Sequence, residues 1–155
     1  MLLRLQIKNT QMPELIEHID AIARQKQRAV LYLEFHRAAT AELTAPQRDY
    51  RYAIDKARSA VLDWLDAHGL PWGSCGAYAD ANLSLPYMGQ IYLDVSYDES
   101  LADYRILRDY FEYPDGNMRQ ASVRFCVMPL DYAMRNAAHD APGFWDRWAE
   151  DIDGQ

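Results

Sequence analysis

Cysteine is scarce in this chain, which has only Cys75 and Cys126 among its 155 residues. Two thiols in segments of different character cannot build the disulfide framework of a small secreted domain, so we expect a reducing compartment. They are also too few for a structural zinc site. The four histidines show no metal-ligand spacing either: His18, His36, His68 and His139. The sequence therefore predicts no metal centre.

Long apolar runs and glycine-rich phosphate loops are absent as well. No run approaches the ~20 apolar residues that a membrane-spanning helix needs, and residues 1–6 lack the pattern of a secretion signal. Gly73 and Gly76 are not accompanied by the repeated glycines and the Lys-Ser/Thr pair that hold phosphates. We expect a cytoplasmic protein with no membrane partner and no cofactor.

Positive charge is in the minority. Lysine and arginine together number 16 against 23 aspartate and glutamate residues, which gives a formal net charge of −7. Binding to nucleic acid requires clustered basic side chains that displace phosphate counterions, so we expect no nucleic-acid partner. An acidic balance suits solubility or an encounter with a basic protein.

Apolar residues are plentiful, at half of the chain, and are enough for one buried core. We therefore expect a single domain over residues 1–155. Within residues 1–37, apolar side chains alternate at 2–8, recur at helical spacing at 12–27, and alternate again at 29–37. This order predicts a strand, a helix and a strand.

Residues 90–128 repeat the same order. Alternating runs at 90–97 and 121–128 flank an amphipathic helical run at 100–113, in which Leu101, like Tyr104, is expected to face the core. Two such βαβ halves predict an α+β fold of the ferredoxin-like sandwich type, with helices on one face of the sheet.

The remaining segments fall between and after these halves. A capping-box pattern at Thr44 predicts a long inserted helix over residues 44–68, whose apolar stripe includes Ile54. Residues 69–89 are expected to be an irregular aromatic loop, part of which can pair as an edge strand, and residues 129–152 are expected to form a C-terminal helical tail. The alternative is a three-layer α/β arrangement with a mixed sheet.

Period-2 alternation separates the two faces of the sheet. Leu31, Leu33 and Phe35 mark the apolar face. The opposite face is expected to carry these side chains from the second, third and fourth predicted strands: Tyr32, Glu34, His36, Tyr92, Asp94, Ser96, Arg124, Cys126 and Met128. The sequence leaves open whether the inserted helix covers this polar face.

Four residues are candidates for catalysis. Glu34 and His36 place an acid and a base on one strand face, and Cys126 is within reach if its strand is adjacent. Cys75 lies between Ser74 and Gly76 in the loop, although the surrounding residues fail the nucleophile-elbow pattern. These residues support an alternative hypothesis of a small enzyme or ligand-binding domain.

Tyrosine is the most enriched feature, with eleven in the chain. Large amphipathic rings beside carboxylates are typical of protein interfaces, where they anchor and steer a basic partner. The candidate contact surface comprises Trp72, Tyr87, Tyr92, Asp94 and Asp98. Our first hypothesis is an inhibitor-like or immunity-like protein that neutralises or regulates a basic protein without catalysis.

Overall fold

The computed structural model describes residues 19–36, 51–75, 87–144, 146–147 and 150. The predicted strand at residues 2–8 lies outside this part of the chain. The described elements are α1 (Ile19–Lys26), β1 (Val30–Phe35), a 3-10 turn (Tyr52–Ile54), α2 (Lys56–Ala67), β2 (Trp72–Ser74), β3 (Ile91–Leu93), α3 (Ala102–Phe111), β4 (Val123–Met128), α4 (Leu130–Ala133) and a 3-10 segment (Met134–Asp140). None of the described helices is long and apolar enough to cross a membrane.

The four described strands form one open antiparallel sheet in the order β2-β3-β1-β4. β1 is central, since Leu33 lies between Ile91 of β3 and Phe125 of β4. The predicted α+β class is confirmed. These four strands do not form the mixed sheet of the alternative arrangement, because each described pair is antiparallel.

One face of the sheet carries the larger core, which we call the first core. Leu31, Leu33 and Phe35 project from β1 as the alternation predicts. They pack with Val61 and Leu65 of α2 and with three residues of α3: Tyr104, Leu107 and Phe111. The inserted helix therefore covers the apolar face of the sheet.

The opposite face of the sheet carries a smaller, second core. Val30 of β1 and Tyr92 of β3 are buried there with Ile22 and Ala23 of α1 and with Ala133 of α4. Helices thus lie on both faces of the described sheet: α2 and α3 cover the apolar face, and α1 and α4 lie on the other. The face that sequence alternation marks as polar is partly covered by α1 and α4.

The start of α2 differs from the predicted start of the inserted helix at residue 44. Asp55 caps α2, because its side chain accepts a hydrogen bond from the Ala57 amide at 2.9 Å. Ile54 precedes this cap in the 3-10 turn and is 75% exposed, so it does not join the apolar stripe. The end of the helix agrees with the sequence, since Gly69 follows the capping residue His68 and adopts a φ of 64°.

Candidate functional site

The strand register brings most of the predicted polar side chains onto the second face. Tyr32 lies between Tyr92 and Cys126, and Glu34 lies opposite Arg124. The Glu34 and Arg124 side chains form a partly exposed ion pair with Oε2 and Nη1 3.6 Å apart. This pair agrees with the expected cross-strand attraction, which is typically about 0.2–1 kcal/mol.

Tyr32 and Cys126 contact each other across the two strands. Burial raises the pKa of Tyr32 to about 12. Burial also raises the pKa of the Cys126 thiol; Glu34 raises it further, while Arg124 and a hydrogen bond from Tyr32 act in the opposite direction. A nucleophilic cysteine requires a lowered pKa, because the thiolate is the reactive form. The environment of Cys126 therefore opposes activation.

His36 does not lie beside Cys126. Its amide donates to the carbonyl of Ser122 at 3.1 Å, whereas Cys126 pairs with Tyr32. Four residues along a strand span about 13 Å, so the imidazole and the thiol start from positions well apart. The register therefore keeps these two candidate residues apart, because it places Tyr32 opposite the thiol.

Cys75 is buried in the second core and is not an exposed loop thiol. Its amide donates to the Gln90 carbonyl at 3.0 Å, which extends the pairing of β2 with β3 by one residue. Cys75 directly follows β2 and Cys126 lies within β4, the two edge strands of the described sheet, and three strand spacings of about 4.8 Å separate these edges. This exceeds the ~7 Å between Cα atoms that a disulfide tolerates, and no disulfide joins Cys75 to Cys126.

Tyr87 and Tyr92 serve the second core rather than an open surface. The Tyr92 ring lies over Gly73, where an added Cβ would come within 2.7 Å of the ring. The Tyr87 hydroxyl donates to the Gln90 carbonyl and accepts from the Ser74 hydroxyl at 2.8 Å. Burial raises the pKa of Tyr87, and its polar tip is already hydrogen-bonded within the chain.

Asp94 is neutralised within the chain. Its Oδ1 accepts from Lys26 Nζ at 2.9 Å and from Arg28 Nη2 at 2.6 Å, so two cations share one carboxylate. This arrangement ties β3 to α1 and the residues that follow it. The charge of Asp94 is therefore committed to an internal contact, which reduces its value for steering a partner.

The last two predicted contact residues lie elsewhere. Trp72 packs on the first core, and its Nε1 donates to Asp66 at 2.8 Å. Asp98 accepts from the amide and hydroxyl of Ser100 at 2.9 and 2.7 Å, and these hydrogen bonds lower the pKa of Asp98. The predicted contact residues do not form one surface, because the sheet separates Trp72 from Tyr87 and Tyr92.

The sequence did not single out the exposed side of α3. Ile106 is 41% exposed there, one residue from fully buried Leu107. Leu101 was expected in the core, but it precedes the helix and is also exposed. The sequence does contain one indication of this exposed side: Ile106 is apolar but falls outside the buried stripe of Tyr104, Leu107 and Phe111. We use the term α3 face for the exposed apolar and acidic residues of α3 and of the segments directly before and after it: Tyr97, Asp98, Glu99, Leu101, Asp103, Ile106, Asp109 and Tyr113.

Carboxylates dominate the charge of the α3 face. The Glu99 and Asp103 side chains make no hydrogen bond or ion pair with another residue in the described part of the chain. The nearby arginines instead contact the chain itself: Arg105 Nη1 donates to the Glu99 carbonyl at 3.0 Å, and Arg108 Nε donates to Asp109 at 3.2 Å. The arrangement is an exposed apolar surface with available negative charge.

Comparison of the chain with protein-family models, with curated proteins and with solved structures finds no match. Among the described residues, no group of three or more His, Cys, Asp or Glu side chains is placed to hold a metal ion. The parts of the molecule that bear on its function are therefore the second face and the α3 face.

Proposed function

We propose that this protein is a non-catalytic binding domain that regulates or neutralises a basic protein partner, in the manner of an inhibitor or immunity protein, and that the α3 face makes the contact. The proposed contact surface retains Asp98 from the surface predicted from the sequence. The buried Tyr92 and the internally paired Asp94 are replaced by exposed residues on and around α3.

The observation that carries the proposal is the exposure of large apolar side chains beside exposed carboxylates. Asp103, Ile106 and Asp109 are three residues apart in sequence and so lie on one side of the helix. Ile106 and Tyr97 are 41% and 53% exposed. Apolar anchors surrounded by charge are typical of interfaces in which packing supplies affinity and electrostatics supplies orientation and rate.

Charge complementarity identifies the class of partner. Residues 97–115 contain six carboxylates and two arginines, and the whole chain carries a net charge of −7. Such a surface repels nucleic-acid phosphates and attracts lysine and arginine side chains. A protein with a basic, partly apolar docking surface fits both properties of the α3 face.

Two substitutions on the α3 face test the proposal, each with a matched control. Ile106→Ala removes the apolar anchor, and Ile54→Ala makes the same change at an exposed isoleucine of the 3-10 turn. Asp103→Lys reverses a charge on α3, and Asp63→Lys reverses an exposed charge on α2. Each immobilised protein is used to capture partners from a cell extract at about 0.05 and 0.3 M salt, and captured proteins are identified by mass spectrometry.

We expect the parent chain and both controls to capture the same basic protein in equal amounts. Ile106→Ala and Asp103→Lys should each capture at least about tenfold less of it, which corresponds to a loss of ~1.4 kcal/mol in binding free energy. Retention should weaken at the higher salt concentration. Capture that is equal in all five proteins, or captured proteins that are not basic, would contradict the proposed role of the α3 face.

We also infer that the described elements form a ferredoxin-like sandwich whose halves differ from those expected. The first half is β1, α2 and β2, and the second is β3, α3 and β4, with α1 and α4 added on the other face. The order β4-β1-β3-β2 and the antiparallel pairing support this inference. An experimental structure with another strand between β1 and either of its neighbours would contradict it.

A further inference from the structure

A buried guanidinium joins α1 to the segment that follows β4. Arg24 has a side chain only 4% exposed, and its Nε and Nη2 donate to the two carboxylate oxygens of Asp140 at 2.7 and 3.0 Å. Its Nη1 donates to the carbonyl of Ala133 and to Asp20, both at 3.0 Å. Asn136 completes the network by donating to Asp20 at 2.7 Å.

Residues 130–140, which we call the strap, supply three members of this network: Ala133, Asn136 and Asp140. Beyond these contacts, little apolar burial holds the strap in place. Ala133 is its one buried residue, α4 is only four residues long, and the backbone departs from helical geometry at Asn136. Helices this short are not stable alone, so attachment of the strap depends on its tertiary contacts.

The polar contacts are directional and concentrated on one side chain. A planar guanidinium that binds a carboxylate through two parallel hydrogen bonds loses this paired geometry when either partner changes. Removal of one carboxylate from a buried arginine is unfavourable, because less negative charge then compensates a cation that stays out of water. The first core shares none of these contacts, since its buried residues lie on the other face of the sheet.

We propose that the strap opens as a unit while the first core remains folded, and that Arg24 is the latch that holds it closed. Opening removes Ala133 from the second core and uncovers part of the cluster that it completes with Ile22, Ala23 and Val30. The fold thus contains a conformational device that exposes an apolar surface on the side of the sheet away from α2 and α3.

Hydrogen exchange of the full chain, followed by mass spectrometry, tests the strap through Asp140→Asn. The Asp140 side chain is 48% exposed, so this isosteric change removes a charge without a steric clash. We expect amides of residues 133–140 to exchange at least about tenfold faster, while amides of β1 and α2 keep their rates, as in a local opening. Arg24→Lys, which retains the charge and loses the planar fork, should produce a similar pattern.

Asp131→Asn is the matched control, because Asp131 is an exposed carboxylate of the same strap outside the network. Its exchange should equal that of the parent chain. If Asp140→Asn also matches the parent, Arg24 is not the latch. If residues of β1 and α2 accelerate together with the strap, the strap is an integral part of one cooperative core, and the proposal fails. Asp140→Asn keeps the test decisive even if Arg24→Lys does not fold.

Discussion

The two faces of the sheet are stabilised by different means. Thirteen buried residues form the first core in the described part of the chain, and most are leucine, isoleucine, valine or phenylalanine. The second core has six, among them two alanines, a cysteine and a tyrosine. Because hydrophobic stabilisation scales with the apolar area removed from water, most of it comes from the first core.

Hydrogen bonds and ion pairs contribute a larger share of the contacts on the second face than in the first core. Arg24 bridges α1 and the strap, Asp94 bridges β3 and two cations, and the Tyr87 hydroxyl is held by Ser74 and Gln90. Polar networks specify geometry but add less net stability than apolar packing, because each group loses its contacts with water. The comparison predicts a rigid first core and a more adaptable second face.

The largest expected effect comes from the first core. Leu107→Ala should reduce the free energy of unfolding by about 2–5 kcal/mol, because Leu107 is fully buried and the substitution leaves a cavity. Ile106→Ala makes a comparable truncation one residue away, on the exposed side of α3, and should change it by no more than about 0.5 kcal/mol. Urea denaturation measures both. Equal losses would mean that α3 is not oriented as described.

A smaller effect is expected from the second face at Gly73. Gly73→Ala places a methyl group within 2.7 Å of the Tyr92 ring, which has little room to move. Overpacking of this kind costs about 1–3 kcal/mol. The cost should largely disappear in the Tyr92→Ala background, where the ring is absent, so a double-mutant cycle by urea denaturation should show a coupling of similar size. A cost that persists without the ring would assign it to the backbone instead.

Local patterns in the sequence were enough to identify most elements. Alternation located β1 and β4, and helical spacing located α3, because these periods depend only on neighbouring residues. They could not show that Tyr92 is buried, since a tyrosine can be buried once its hydroxyl has a partner. Nor could they assign α1 to the second face, because the choice depends on contacts between distant segments.

The same limit applies to the candidate site. The number of aromatic and acidic residues does not show on which side of the sheet each one lies, so composition cannot separate Trp72 from Tyr92, whereas strand pairing does. The α3 face follows instead from the rotation of the helix: Leu107 and Phe111 fix the buried side, and Ile106 is then exposed. In the sequence, Ile106 is recognisable as an apolar residue outside the helical stripe.

The smallest expected effect concerns the thiol on the second face, and it decides between a binding role and the alternative of catalysis through Cys126. Because burial raises the pKa of Cys126, the thiolate fraction at a given pH is lower than for an unperturbed cysteine. Alkylation by iodoacetamide, followed for the Cys126 peptide by mass spectrometry from pH 7 to 10, should therefore be slow and should rise with a profile shifted to higher pH.

The charged pair beside the thiol should tune this profile in opposite directions. Glu34 raises the pKa of Cys126 and Arg124 lowers it, so Glu34→Gln should speed alkylation at pH 8 and Arg124→Gln should slow it. Each change should stay below about tenfold, the factor that corresponds to one pKa unit. Both side chains are partly exposed, so solvent screens their effects. If Cys126 reacts at pH 7 faster than a free thiol, the hypothesis of catalysis through Cys126 would be favoured, because only an activated nucleophile reacts in that way.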